Sequence, residues 1–277
     1  MSAIIHHIGK LIFAGAGPGD PELITLKAAK YLQQADVILV DRLVSEEILT
    51  QHVNAKTLVI YVGKQCRKGC STPQESINAY IVKFAREGKL VVRLKGGDVS
   101  IFSNILDELQ TAVEHNIPYE IIPGITAALG AAAFAGIPLT ARGFSTSVRL
   151  LTAYKSDIVS PEYWKELAHT SDTLVFYMSA ETLGDVVQNL VKNNISREKL
   201  LAVIEAATTP LQHVHITSLY DYETTFKGKD FVSPSLVIIG KVVALHNQFA
   251  WLQNSFCSGT YFKTVQPTNF VKTQSII

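Results

Sequence analysis

Short runs of β-branched and aliphatic residues alternate with helix-period segments over the first third of the chain, and this rhythm limits the fold more than any other feature. The runs are Lys10 to Ala16, VILV ending at Val40, TLVIYV at 57–62 and KLVVRL ending at Leu94. Between them lie a segment from Glu22 to Gln34, VSEEILTQH at 44–52 and a segment from Gln74 to Glu87. In the first of these, Leu23, Leu26, Lys27, Lys30 and Tyr31 recur at spacings of three and four, as one face of a helix does. Asp20 and Pro21 stand where an N-cap and a first-turn proline belong. Strand and helix in turn predict a mostly parallel sheet with helices on its faces.

The rhythm changes after Pro138. The segment PLTARGFSTS is polar and turn-rich and reads as a linker between domains. Beyond it come the strand-like runs VRLLTA, TLVFYM, LLAVIEA, HVHITSL and SLVIIGKVVAL, with helical segments around 163–169 and 183–193. Fewer helices per strand predict a mixed sheet. The expected organisation is therefore α/β, with a first domain over 9–138, a linker over 139–147, a second domain over 148–253 and a tail over 254–277.

Composition narrows the function. Hydrophobic residues make up 47% and charged residues 18%, the balance of a packed globular chain and not a disordered one. A formal net charge of +1 lacks the basic excess of a nucleic-acid footprint, so any anionic partner must be met by local groups. The opening MSAIIHHIGK has no basic signal-peptide start, and the apolar stretch from Ile121 to Leu139 is broken by prolines and glycines. Three cysteines fit a reducing cytoplasm better than a disulfide framework, and Cys66 and Cys70 lack a second ligand pair for zinc. A cytoplasmic location with no membrane span and no metal is the expectation. His213 and His215, on one face of a strand-like run, are expected to be solvent-exposed rather than metal ligands.

Four segments carry candidate chemistry. GAGPGDP, at 15–21, places glycines at alternate positions between a strand and a helix, where backbone can approach a ligand or simply turn tightly. Its spacing is not the G-x-G-x-x-G of a dinucleotide loop, which argues against a nicotinamide-dependent oxidoreductase. VDRLVS puts Asp41 and Arg42 at a strand's carboxyl end, where α/β sheets collect ligands. An aspartate there can serve as a base and an arginine can grip a carboxylate, or the two can form a surface ion pair. VVRLKGGD brings Arg93, Lys95, Gly96, Gly97 and Asp98 to a second strand end, with the glycine doublet favouring ligand contact. PGITAALGAAAFAGIPLT opens a run of small residues at Thr126, suited first to close helix packing and second to a flat ligand.

In this order the four segments, together with VGK at 62–64, PQESIN, SVRLLTA, TLVFYM and SLVIIGKVVAL, resemble the tetrapyrrole methylase family. Within it the chain is most similar to the uroporphyrinogen-III C-methyltransferases, over about residues 10–252. The resemblance implies two α/β domains, a site in the cleft between them, a homodimer, and S-adenosylmethionine as methyl donor with S-adenosylhomocysteine as product. Implied donor contacts are Pro18, Gly96, Gly97, Asp98, Ile101, Thr126, Ala127, Met178 and Ala207. Asp41 matches the family's general base, Lys64 its proton donor, and Arg93 a residue near the substrate. Arg42 and Arg149 are further candidates for the carboxylates of uroporphyrinogen III. The implied reaction converts uroporphyrinogen III to precorrin-2 by way of precorrin-1, on the route to sirohaem or corrinoids. No dehydrogenase and ferrochelatase module is visible, so later steps are expected from another protein. Val99, Ser100 and SNILDE replace the family's Pro-Phe and Arg-Gly-Gly, Ala141 replaces a histidine, Ala207 replaces a glycine, and the loop at 65–72 lacks the usual histidine. These departures keep open a precorrin or cobalt-precorrin methyltransferase, and also a module that binds donor or tetrapyrrole without turnover.

Overall fold

A computed structural model describes residues 8–65, 70–153, 159–257 and 259–262. By contact the described residues form two units, one of those within 8–15 and 25–123 with 262, the other of those within 16–24 and 124–261. The glycine loop and the alanine-rich segment thus group with the second unit, whereas the sequence pattern set a boundary at 138. The reason is packing: the alanine-rich segment lies against the second sheet, as described below.

In the first unit the strands are β1 (Lys10–Gly15), β2 (Val37–Val40), β3 (Leu58–Tyr61), the short pair β4 (Lys64–Gln65) and β5 (Cys70–Ser71), β6 (Leu90–Lys95) and β7 (Tyr119–Ile122). The helices are α1 (Leu26–Gln34), α2 (Glu46–His52), α3 (Gln74–Arg86) and α4 (Leu106–Glu114). The main sheet has the order β3-β2-β6-β1-β7, and every pairing in it is parallel. Its middle strands are buried almost throughout, whereas edge strand β3 is not. That is why the sequence runs are continuously apolar and not alternating. Leu11, Phe13, Val37, Leu39 and Val91 pack against Ile77, Ile81 and Phe84 of α3 and Ala112 of α4.

Helix α1 departs from the predicted start at Glu22. Asp20 caps a 3₁₀ turn over Pro21–Leu23 by accepting from the Glu22 N–H at 2.9 Å. Thr25 then caps the α-helix proper, its hydroxyl accepting from the Ala28 N–H. The predicted apolar face is also displaced: Leu26 is 83% exposed, and Ala28 and Leu32 are the buried residues.

The second unit opens with α5 (Ala127–Phe134), followed by β8 (Val148–Thr152), α6 (Pro161–His169), β9 (Thr173–Tyr177), α7 (Leu183–Lys192), β10 (Leu200–Glu205), β11 (His213–Ser218), α8 (Tyr222–Thr225), β12 (Ser235–Gly240) and α9 (His246–Phe249). The sheet order is β11-β10-β12-β9-β8; only β8 and β9 run parallel, so the predicted mixed sheet is found. Strand alternation divides its residues cleanly. Leu174, Phe176, Leu201, Val203, Val237 and Ile239 face α6 and α7. Val175, Ala202, Ile204, Leu236 and Ile238 face Ala128, Ala131 and Ala132 of α5. The run of small residues is thus a closely packed helix. The residues read as a linker fold as a turn bridged from Ala141 to Ser145, whose hydroxyl donates to the Ser147 and Ser171 carbonyls. Among the described residues no helix is long and apolar enough to cross a membrane. Cys66 and most of the predicted tail lie outside the described residues.

At the first unit's surface, Glu120 on β7 accepts from Lys10 on β1 and from Tyr31 on α1, each at 2.7 Å, and pairs with Lys27. The Lys10 hydrogen bond, followed by those of Lys27 and Tyr31, holds the Glu120 carboxyl down at about 2 from its ordinary 4.5. A depressed carboxylate contributes stability above its unfolded value and loses it as pH falls through the folded one. Glu120→Gln should therefore be less stable than the parent near neutrality, with the gap closing between about pH 5 and pH 2 and shrinking with added salt. Urea titrations at several pH values check this; a gap that does not change with pH contradicts it.

Candidate functional site

Parallel pairing brings the carboxyl ends of β2, β3 and β6 to one edge of the first sheet. Asp41 follows β2 directly, and its N–H continues the ladder by donating to the Leu94 carbonyl at 3.0 Å. Its carboxylate accepts from the Arg42 N–H at 2.8 Å, and its carbonyl accepts from the Val44 N–H at 3.3 Å, closing a turn. Backbone on both sides crowds that turn. A Cβ on Gly63, just after β3, would lie 2.8 Å from the Arg42 Cβ and 3.0 Å from its nitrogen. A Cβ on Gly96, just after β6, would lie 2.7 Å from the Leu43 carbonyl oxygen. Arg42 and Leu43 are therefore clamped between two positions that must be glycine, and Asp41 is anchored beside them by its backbone hydrogen bonds. Gly97 adopts φ +69°, which glycine accepts without strain. Asp98, nearly buried, accepts from the Ser100 N–H at 2.8 Å and from its hydroxyl. Lys64 begins β4 immediately after Gly63, its backbone paired with Ser71; its side chain lies outside the described part of the structure.

Arg93 and Lys95 sit two apart on β6 and so share a face. Both reach Glu108 of α4: Arg93 donates at 3.0 Å, and Lys95 approaches both carboxylate oxygens at 3.3 Å. Arg93 also donates to the Leu39 and Leu94 carbonyls, and all three side chains are at least 96% buried. Burial, then the neighbouring Arg93 charge, pushes the Lys95 ammonium below its ordinary value, while Glu108 and Asp41 pull it back up. Arg149 on β8 is held by Glu166 and Asp172, first Glu166, which raise it further above its ordinary value. Arg93, expected near the substrate, and Arg149, expected at its carboxylates, thus each carry carboxylates of the protein itself.

In the second unit the expected donor contacts fall on four segments, each of which touches another. Pro18 of the glycine loop lies against Gly130 of α5, where a Cβ would come within 2.5 Å of the proline ring. Gly19 lies against Thr208 and Thr209, where a Cβ would come within 2.8 Å of the Thr209 methyl. Thr126 precedes α5, and Tyr177 at the end of β9 places its hydroxyl 2.7 Å from the Thr126 hydroxyl and accepts from the Ala128 N–H at 3.0 Å. Met178 follows with φ +54° and is more than half exposed; Ala206 and Thr208, on either side of Ala207, have φ +44° and +64°. Non-glycine residues in this region are strained, and such strain collects at functional sites. Ile101 lies partly buried in the loop after Asp98. His215 is not solvent-exposed as expected: it pairs with Glu205 at 2.7 Å, stacks on His213 and meets Lys229. An apolar groove of about 910 Å³ also runs along this unit, lined by Leu129, Ala133, Pro138, Val148, Leu150 and Phe249 among others.

Glu108, Tyr177, Thr208 and Gln212 were missed by sequence reasoning. Glu108 left a signal. It lies on the same helical face as Thr111 and Ala112, and a carboxylate on a buried face requires a buried cation, which Arg93 and Lys95 supply by strand alternation. Thr208 and Gln212 left none, since their role depends on a left-handed turn.

The family model for tetrapyrrole (corrin/porphyrin) methylases matches residues 10–223. Siroheme synthase of Saccharophagus degradans is 42% identical over 250 residues, covering 90% of this chain and 54% of that protein. Siroheme synthase of Acinetobacter baylyi is 44% identical over 245 residues, covering 88% and 53%. The chain spans about half the length of these curated relatives. Among solved structures, uroporphyrin-III-C-methyltransferase from Thermus thermophilus aligns with a TM-score of 0.73 at 33% identity, over 88% of this chain and 98% of that one. The same enzyme complexed with S-adenyl homocysteine aligns at 0.70 and 33%, over 86% and 100%. A cobalt precorrin-4 methyltransferase aligns at 0.74 and 28%, over 84% and 95%.

The clamp around Asp41 predicts that Gly96→Ala destabilises the chain by about 1–3 kcal/mol, the cost of overpacking against backbone that cannot yield. Denaturant unfolding measures it; a loss below about 0.5 kcal/mol, the range of an inert surface change, would mean that the turn shifts freely.

Proposed function

The chain belongs to the tetrapyrrole (corrin/porphyrin) methylases, and from that premise we propose that it transfers methyl groups from S-adenosylmethionine to carbon atoms of uroporphyrinogen III, giving precorrin-2 by way of precorrin-1. The observation that carries this reading is the clamped Asp41 turn at the carboxyl edge of a parallel sheet, in a chain that spans nearly the whole length of a solved uroporphyrin-III methyltransferase. The donor contacts we assign are Pro18, Gly96, Gly97, Asp98, Ile101, Thr126, Ala127, Met178 and Ala207. The residues present fit such a group: Gly97, at φ +69°, turns the chain after β6 without a side chain, so backbone there can meet a flat, polar ligand.

The sulfonium supplies an activated methyl group and its own leaving group. What the chain must add is alignment and a base. Holding reactants in line is worth on the order of 7–11 kcal/mol in well-oriented model reactions. Asp41 is assigned as the base that removes a proton from the macrocycle after each transfer, and Lys64 as the proton donor. Arg42, beside Asp41, is assigned to substrate carboxylates, while Arg93 and Arg149 hold the frame through Glu108 and through Asp172 and Glu166. We place the protein in the cytoplasm and read it as a homodimer, for which the groove beside Leu129 and Phe249 offers an apolar face.

A related acceptor is the second reading. The alignment with the cobalt precorrin-4 methyltransferase and the altered loop after Asp98, with Val99, Ser100 and SNILDE, favour it. Purified chain with S-adenosylmethionine and uroporphyrinogen III, kept free of oxygen, should yield a product carrying two added methyl groups by mass spectrometry. No added methyl, with donor binding intact, would move the assignment to another acceptor or to a binding module. Asp41→Asn should lower turnover by about 10²–10⁴ while donor affinity stays within about twofold. Equal losses in both would make Asp41 structural.

A further inference from the structure

The strained turn after β10 is held by a side chain to which no role has been given. Thr208 is a β-branched residue at φ +64°, a conformation such residues adopt only when the surroundings impose it. Gln212 imposes it from within the same loop. Its side-chain oxygen accepts from the Thr208 N–H at 2.8 Å, and its amide nitrogen donates to the carbonyl of Phe134, the last residue of α5, at 3.3 Å. Gln212 is 3% exposed and Thr208 4% exposed, so neither hydrogen bond is readily exchanged for one to water.

Thr208 passes the constraint on to the glycine loop. Its hydroxyl accepts from the Asp20 N–H at 3.2 Å, and its methyl would lie 3.1 Å from a Cβ on Gly130. Gly130 is also the residue against which Pro18 packs. One amide therefore ties together the end of α5, the turn that carries Ala207 and, through Thr208, the loop that carries Pro18. Thr209 completes the turn, its hydroxyl donating to the Ala206 carbonyl at 2.7 Å.

We propose that Gln212, acting through Thr208, is a positioning residue for the methyl donor: it fixes the glycine loop, the Ala207 turn and α5 in the arrangement that binds S-adenosylmethionine. The proposal rests on the assignment of Pro18, Thr126, Ala127 and Ala207 as donor contacts. A preorganised site binds more tightly because the ordering cost has been met on folding. Loss of the clasp therefore acts on donor binding, and not on the rate once donor is bound.

The test is calorimetric titration of the full chain with S-adenosylhomocysteine, together with kinetics under varied S-adenosylmethionine. Gln212→Leu keeps the bulk and removes both hydrogen bonds; Thr208→Val keeps the shape and removes the acceptor; Thr208→Ser keeps the acceptor. Thr208→Val should weaken binding and raise KM for the donor about tenfold, the effect of one lost buried hydrogen bond, and Gln212→Leu, which loses two, at least as much, with kcat at saturating donor within about twofold in both. Thr208→Ser should bind within about twofold of the parent. Melting curves are recorded for all variants, and if Gln212→Leu does not fold, the Val and Ser pair decides. Unchanged affinity in Thr208→Val, or equal losses in the Val and Ser variants, overturns the proposal and leaves the clasp merely structural. A parent chain that binds no S-adenosylhomocysteine would instead refute the donor assignment itself.

Discussion

The turn from Asp41 to Leu43 leaves β2 between two backbone positions that tolerate no side chain, and the chemistry assigned to the first unit depends on that confinement. Gly63 meets Arg42 and Gly96 meets Leu43 at distances a Cβ would violate. The hydrogen bond from the Asp41 N–H to Leu94 then sets the height of the turn above the sheet. A carboxylate on an ordinary loop would sample many positions. Here the backbone that carries it is held, because parallel register brings β3 and β6 to the same edge at the same level.

Beneath that edge lies a second constraint of a different kind. Arg93, Lys95 and Glu108 form a buried ionic cluster in an otherwise apolar core. Such clusters seldom add net stability over well-packed apolar residues, but removing one member leaves a buried charge unpaired and is costly. The cluster fixes α4 against β6 at the strand end from which Gly96, Gly97 and Asp98 emerge. Arg93 therefore serves the frame on which the glycine turn is built.

The legible parts of the fold were those governed by period. Continuous apolar runs and intervening helical spacings revealed a parallel sheet, and the thinner helix content after Pro138 revealed a mixed one. Helix α1 shows where period fails: Leu26 matched the helical spacing yet is exposed, because Asp20 and Thr25 cap two successive helical turns and shift the start. Asp41 and the glycines after β6 are picked out because strand ends collect ligands, and they do stand at one edge of the parallel sheet. Glu108 could have been read from its place on a buried face. Thr208 and Gln212 could not, since a left-handed threonine and the amide that holds it depend on long-range packing between 208–212, α5 and the glycine loop.

The direct test of the central claim, that the confined turn and the glycine end of β6 form the reacting face, is a crystal structure of the chain bound to S-adenosylhomocysteine. The ligand's sulfur should lie against the backbone of Gly96 to Asp98, with the Asp41 carboxylate facing the open space beside it. A ligand seated elsewhere, with Asp41 and Lys64 far from the sulfur, would contradict it whatever the sequence motifs suggest.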